Sequence, residues 1–331
     1  MFLPHVLVIS NHFEAKRNSP HAGIFVDRQI TSLKQVGVRV STFDIGTSHS
    51  PIHIFRKWLE LHRRVRQLGP DLVHGQYGTI VGFLAAFAGR PAVISFCGGD
   101  LMAGASVPTY RLYTGFLLSN VAAMRARKLI CKSQELREAL WWRRERAVLI
   151  PNGIDLELFS PGSRELARQH LEWDQESEIV LLNVGHEPKR KGLDLAQQAM
   201  RVVRARLPKA QLCVISDVQP DVMPVYYRAA DALVCASTME GSPNVVKEAL
   251  ACNLPVVSTP VGDVEERLAG VQPSAVVPRD AEAIAEALVQ ILRERKRSNG
   301  REHVMHLGQD QVAQRVLGVY RAVLEEALTM A

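Results

Sequence analysis

The stretch 236–262, ASTMEGSPNVVKEALACNLPVVSTPVG, decides how this chain is read. The apolar run 232–236 leading into it has the length of a buried parallel strand. Ser242-Pro243 then reads as a helix start, a capping hydroxyl followed by proline at the first helical position. Glu240 therefore falls in a strand-to-helix turn, which in an open α/β sheet lies at the carboxyl edge, where ligands bind. Gly241 lets a ligand approach the backbone closely, and the free N–H groups of the first helical turn favour an anion. On a helical wheel Val245, Val246, Ala249 and Leu250 form one apolar stripe. Asn244 and Glu248, four apart, lie together beside it, so Glu248 is expected on a flank that reaches toward the ligand side.

Working outward, strand-like and helix-like segments alternate along most of the chain. Strands are expected at 6–10, 38–45, 72–76, 92–96, 128–131 and 147–150, with helices at 23–36, 52–68, 80–88, 110–126 and 134–142. Pro151-Asn152-Gly153 interrupts the pattern, and the polar, proline-containing stretch 152–178 reads as a linker. Alternation resumes with strands at 179–184, 212–216, 232–236, 256–259 and 275–277, and helices at 193–206, 222–230, 264–269 and 281–293. Only a short loop separates the strand at 212–216 from the helix at 222–230, which abbreviates this half. Repeated alternation of this kind implies an α/β fold with parallel, doubly wound sheets. A length of 331 residues suits two domains, expected at 1–151 and 179–308. A last helical segment, 309–331, carries apolar residues at helical spacing and is placed to pack back on the first domain.

Composition narrows the function classes. An apolar fraction of 47% permits two cores, and a net charge of +6 favours anionic partners. Basic clusters at 63–66, 125–128, 143–146 and 189–191 are short, and no basic tail or aromatic-interleaved groove points to nucleic acid. The five cysteines, Cys97, Cys131, Cys213, Cys235 and Cys252, lack zinc-like or redox pair spacing and read as buried small hydrophobes in a reducing compartment. No secretory signal is read at the amino terminus, and the longest weakly polar stretch, 79–89, is too short to cross a bilayer. A cytoplasmic protein is expected. The absence of a Gly-x-Gly-x-x-Gly turn after a strand argues against a nicotinamide oxidoreductase. There is no Asp-x-Asp motif either, and no metal site is expected.

Three motifs occur in order along the chain: PNGIDLELFSPG at 151–162, NVGHEPKRKGLDL at 183–195 and EGSPNVVKE at 240–248. Together they resemble glycosyltransferase family four. The resemblance implies a GT-B fold, two Rossmann-like domains facing across a cleft, with the acceptor bound by the first domain and the donor by the second. It implies a nucleotide-diphosphate sugar as co-substrate, no cofactor, transfer with retention, and a glycan or lipid-linked acceptor in surface-polysaccharide or glycoconjugate synthesis. Lys191, before Gly192, would contact the diphosphate. Glu240 would contact the donor sugar or stabilise its developing charge, and Glu248 would hydrogen-bond the ribose hydroxyls. Gly23, Gly185, His186, Arg190, Gly241, Ser242, Asn244 and Val245 would complete the donor site. For Ser242 a helix-capping role is expected in either case.

The chemistry fits these residue types. Breaking the glycosidic bond builds negative charge on the diphosphate and positive charge on the sugar ring, so cations and a carboxylate are both required. A diphosphate leaves readily, and no strong general acid is needed. The chain also departs from the family's pattern. His186 follows Gly185 where many members have arginine, and Cys97, in FCGGD at 96–100, replaces a common histidine. Gly99 and Asp100 are candidate sugar or acceptor cleft residues, although a loop aspartate also serves as a turn cap. The segment 110–128, apolar and aromatic with Arg125, Arg127 and Lys128 at its end, is a candidate contact for an anionic membrane surface, which would make the protein peripheral on the membrane's inner face. The alternative is a helix packed on the sheet with a basic end. Two other functions stay open: an isomerase or epimerase acting on the nucleotide sugar itself, and a catalytically silent nucleotide-sugar-binding partner subunit.

Overall fold

The computed structural model describes residues 3–11, 23–102, 109–185 and 187–329. In chain order the first half contains β1 (His5–Ser10), α1 (Ile24–Gln35), β2 (Arg39–Asp44), α2 (Pro51–Leu68), β3 (Leu72–Gln76), α3 (Thr79–Ala86), β4 (Ala92–Phe96), α4 (Thr109–Arg125), β5 (Lys128–Cys131), α5 (Gln134–Glu138) and β6 (Ala147–Leu149). The second half continues with α6 (Arg164–His170), β7 (Glu178–Asn183), α7 (Leu193–Arg206), β8 (Ala210–Ile215), α8 (Met223–Ala229), β9 (Ala232–Cys235), α9 (Asn244–Ala251) and β10 (Val256–Ser258). It ends with α10 (Val264–Leu268), β11 (Ala275–Val276), α11 (Ala281–Glu294), α12 (Gly300–Val304) and α13 (Gln309–Leu328). The chain divides into two compact units, one of residues 1–153 with 309–331, the other of residues 154–308.

In the first unit six parallel strands lie in the order β2-β1-β3-β4-β5-β6. The interior strand β1, between β2 and β3, is buried throughout, as a parallel strand covered on both faces should be. Its side chains alternate between faces. Leu7 and Ile9 join Leu61, Val65, Leu84 and Ala85 from α2 and α3. Val6 and Val8 join Val26, Ile30 and Leu33 of α1 and Val316 and Tyr320 of α13. The terminal helix thus closes the second face of the first sheet. Helix α2 begins where the Ser50 hydroxyl accepts from the His53 N–H, with Pro51 at the first turn, and stops at Gly69 in the left-handed region.

Helix α5 is shorter than its apolar pattern predicts. The Asn120 side-chain oxygen accepts from the Trp141 N–H at 2.9 Å, and its backbone carbonyl accepts from the Trp142 indole at 3.0 Å. These bonds draw the chain out of the helix, and Arg143 then takes a left-handed conformation.

In the second unit five parallel strands lie in the order β11-β10-β9-β7-β8. One face packs Leu181, Leu233 and Cys235 against Tyr227, Val246 and Leu250 of α8 and α9. The other packs Val180, Leu182 and Val234 against α7 and α11 through Met200, Val203, Ile284 and Leu288. The stretch 154–178, expected as part of a linker, is folded onto this unit and contains α6. Its anchor is the fully buried Arg168, which donates to the carbonyls of Ala229, Asp174, Gln175 and Ser177 and pairs with Asp231 at 2.6 Å. A buried guanidinium needs such a set of acceptors, and most of them lie within the supposed linker itself.

Candidate functional site

Strands β7 and β9 are hydrogen-bonded neighbours in the second sheet, so the loops leaving their carboxyl ends share one edge. The β7–α7 loop carries Arg190 and Lys191, and the β9–α9 loop carries Ser237 to Ser242. Gly192 lets these loops touch. Its φ is +75°, and a Cβ there would lie 2.1 Å from the carbonyl oxygen of Ala236. Beside it the Thr238 N–H donates to the Arg190 carbonyl at 2.9 Å.

The result is a cluster centred on one carboxylate oxygen. The Lys191 ammonium donates to Glu240 Oε1 at 2.6 Å, the Ser237 hydroxyl at 2.9 Å, and Arg190 Nη1 lies 3.2 Å away. Arg190 is itself fixed by the Met239 carbonyl at 2.8 Å and by Glu187 Oε2 at 2.6 Å. Burial opposes ionisation of Glu240, but Lys191 and Arg190 outweigh it and hold the carboxyl below its usual range. Glu240 is therefore a carboxylate at neutral pH. The glycine-lined turn beyond it is closely packed as well. Gly262, at φ +59°, brings the next loop against the Gly241 carbonyl, where a Cβ would sit at 2.6 Å.

Helix α9 starts at Asn244 with Pro243 at its cap position, and the proline makes no side-chain cap hydrogen bond. Ser242 thus does not have the capping role expected of it. Its hydroxyl donates instead to Asp263 Oδ2 at 2.8 Å and accepts from Lys247 Nζ at 2.9 Å. Lys247 and Asp263 are both buried, so Ser242 is taken up in bridging two charged groups that need partners. Among the described residues, Pro243 gives the amino end of α9 no side-chain cap, and Asn244 Oδ1 is buried with no hydrogen-bond partner. Val245 is half-buried against the core, whereas Val246, Ala249 and Leu250 are fully buried. Glu248 is 8% exposed, and Tyr227 from α8 donates to its Oε2 at 3.1 Å. Gly185, at φ +50°, has no described atom within 4 Å of where a Cβ would be, its chain neighbours aside, and its N–H donates to Asn183 Oδ1 at 3.1 Å. His186 lies outside the described residues.

The remaining candidates belong to the first unit. Gly23 caps α1 in the left-handed region at φ +70°. Cys97 and Gly99 are half-buried in the loop after β4. Asp100 is fully buried, and its carboxylate accepts from the N–H groups of Gly78 at 2.8 Å, Gly98 at 2.8 Å and Cys97 at 3.0 Å. Its carboxylate thus ties two loops together at the sheet's carboxyl edge, which corresponds to the turn-cap alternative. Burial pushes the Cys97 thiol up to about 12, so it stays protonated. Cys213 is also half-buried, while Cys131, Cys235 and Cys252 are buried.

The sequence patterns do not identify Ser237, Tyr227, Lys247 or Asp263 as part of this region. Ser237 has a local signal, three positions before Glu240 in the same turn. The other three meet their partners only through packing.

Two family profiles match the chain. One, described as Glycosyltransferase Family 4, matches residues 5–158. The other, described as Glycosyl transferases group 1, matches residues 214–294. The chain belongs to glycosyltransferase family four. This family-four chain is 27% identical to the putative teichuronic acid biosynthesis glycosyltransferase TuaC of Bacillus subtilis (strain 168), over 82% of its own length and 85% of that protein. It is also 29% identical to the D-inositol 3-phosphate glycosyltransferase 1 of Catenulispora acidiphila, where it spans about half of the relative's length, 53%. Among solved structures, the sucrose-phosphate synthase of Thermosynechococcus elongatus superposes with a TM-score of 0.76 at 22% identity, covering 98% of this chain and all of that one. Anabaena Alr3699/HepE in complex with UDP-glucose gives 0.63 at 18% identity, with 99% and 100% covered. At these identities the structural likeness speaks to the fold, which is GT-B.

Proposed function

We propose that this family-four glycosyltransferase moves a hexose from a nucleotide-diphosphate sugar to a glycan or lipid-linked acceptor. In this reading it does so with retention of configuration, without a metal ion or other cofactor, in surface-polysaccharide or glycoconjugate synthesis. The observation that carries the proposal is the 2.6 Å contact of Lys191 with Glu240 at the carboxyl edge of the second sheet. The likeness to TuaC, a putative teichuronic acid biosynthesis glycosyltransferase, and to HepE, solved in complex with UDP-glucose, supports the substrate class.

The chemistry follows from the charges. Glu240, kept ionised by Lys191 and Arg190, has no proton to give and cannot act as a general acid. It suits the positive charge that grows on the sugar ring as the bond to the diphosphate breaks. An ammonium has three donors, so Lys191 can hold Glu240 and still take a diphosphate oxygen. The start of α9, where Pro243 gives no side-chain cap, and Gly185 offer backbone approach to the same anion. Glu248, oriented by Tyr227, would accept from the ribose hydroxyls. The acceptor falls to the first unit. The proposed location is cytoplasmic, peripheral on the inner face of a membrane.

Replacing Lys191 by Ala or Glu240 by Gln is expected to lower kcat for transfer by about a hundredfold or more, with the circular dichroism spectrum retained. Full turnover in both variants would remove these roles, and turnover abolished by EDTA would remove the metal independence. Product analysis without acceptor separates transfer from epimerisation, since an epimerase converts the donor alone.

A further inference from the structure

The first unit has a second built surface at the edge of its sheet opposite its own loops that carry Gly78, Cys97 and Asp100. Arg90 precedes β4, Arg125 and Arg127 precede β5, and Arg143 and Arg146 precede β6. Parallel strands bring these five arginines to one amino edge, where they line a single groove of about 510 Å³. No acidic residue lines it among the described residues. Five guanidinium groups so placed repel one another and attract anions, phosphate above all, because their donor forks match its oxygens.

A second groove, of about 730 Å³, shares Arg90 and Pro91 with the first. Leu324, Ala327 and Leu328 at the end of α13 make its apolar wall, and Leu328 is 80% exposed. Of the two carboxylates beside it, Asp71 already accepts from the His5 N–H at 2.7 Å, and Glu325 is on the exposed side of α13. The arginine groove meets a further apolar strip. Met124, which lines it, is exposed, as are Leu117, Tyr113 and Tyr110 at helical spacing along α4.

We propose that this amino edge docks the protein on an anionic phospholipid surface, with lipid phosphates in the arginine groove and an acyl chain against Leu324, Ala327 and Leu328. The inference gives the proposed peripheral location a site and rests on that part of the reading only. A strand of five residues at about 3.3 Å each sets this edge roughly 15 Å from the carboxyl edge of the same sheet, where Gly78, Cys97 and Asp100 lie. Charge and apolar area act together here. Five arginines alone would suit any polyanion, and the adjoining apolar wall selects an amphiphile.

The test is co-sedimentation of the full chain with phosphatidylcholine vesicles, alone or mixed with phosphatidylglycerol, with inorganic pyrophosphate as the soluble competitor. Binding is expected only with phosphatidylglycerol present, and to fall as salt is raised. The double variant Arg90→Ala/Arg125→Ala is expected to lower partitioning about thirtyfold, at about 1 kcal/mol per arginine. Leu328→Ser is expected to lower it about tenfold, and pyrophosphate to compete weakly. Equal binding to phosphatidylcholine, partitioning unchanged in both variants, or full displacement by pyrophosphate would overturn the proposal, the last by making the groove a free-phosphate site. Turnover with a soluble acceptor, measured on the same variants, is expected to be unchanged. Loss of lipid binding and failure of the transfer reading are therefore separate results.

Discussion

Lys191, Ser237 and Arg190 converge on one oxygen of Glu240, so the proton state of this residue is set by its neighbours more than by its own chemistry. The folded value lies below the ordinary 4.5, so the unfolded chain binds the proton more readily. The associated stability is complete above 4.5 and is lost as pH falls through the lowered folded value. The stability deficit of Glu240→Gln should accordingly shrink as urea titrations move from neutral pH into acid. A second residue test concerns Gly192. Alanine there meets the Ala236 carbonyl at 2.1 Å in a left-handed conformation, which should cost roughly 2 kcal/mol or more and displace Lys191. A thermal melt and a turnover assay of Gly192→Ala would read both effects. Glu240 and Lys191 are legible in the sequence because their motifs are contiguous, and each sits in one turn. Ser242 is not, since its choice between capping α9 and bridging Lys247 to Asp263 depends on a residue 21 positions away.

At the scale of elements, the join between β3 and α13 has a chemistry that no local pattern announces. His74 is fully buried on β3, with Nδ1 2.6 Å from the Tyr320 hydroxyl and Nε2 2.8 Å from the Ser95 hydroxyl. Burial, with the nearby charge of Lys132, lowers its value from 6.5 to about 3. The native state then keeps His74 neutral where the unfolded chain binds a proton. Stability should fall as pH drops from 6.5 toward 3, by up to about 1.4 kcal/mol per pH unit from this group. Removing the histidine with His74→Gln should flatten that slope in denaturant titrations. Tyr320→Phe should cost about 1 kcal/mol at neutral pH, the value of a lost buried hydrogen bond. The helices themselves are largely legible from apolar spacing. Their ends are less so, and α5 is the clearest case, because Asn120 on α4 captures Trp141 and Trp142.

For the molecule as a whole, the chain's last helix belongs to its first unit. Val312, Ala313, Val316, Leu317, Tyr320 and Val323 of α13 are buried in the same core as β1 and α1. Each large apolar side chain buried there is worth about 1.5 to 3 kcal/mol, and the sum approaches the whole stability of a typical domain. Deleting residues 309–331 should therefore leave the first unit unfolded or aggregated, as limited proteolysis of the truncated chain would reveal. The amphipathic pattern of 309–331 makes a packing helix legible, and only the fold supplies the face of β1 and α1 that receives it.

By itself the sequence determined the alternation of strands and helices, the parallel sheets and the motifs of the candidate donor site. All of these depend on spacings of a few residues, which set hydrophobic periodicity, turn chemistry and loop composition. The tertiary structure decided which charged and polar groups are buried and what satisfies them. Arg168 meets Asp231 across 63 positions, Tyr227 meets Glu248 across 21, and His74 meets Tyr320 across 246. In isolation each would be read as a solvated side chain, because burying a polar group is favourable only when a partner is already in place, and that partner is supplied by the fold.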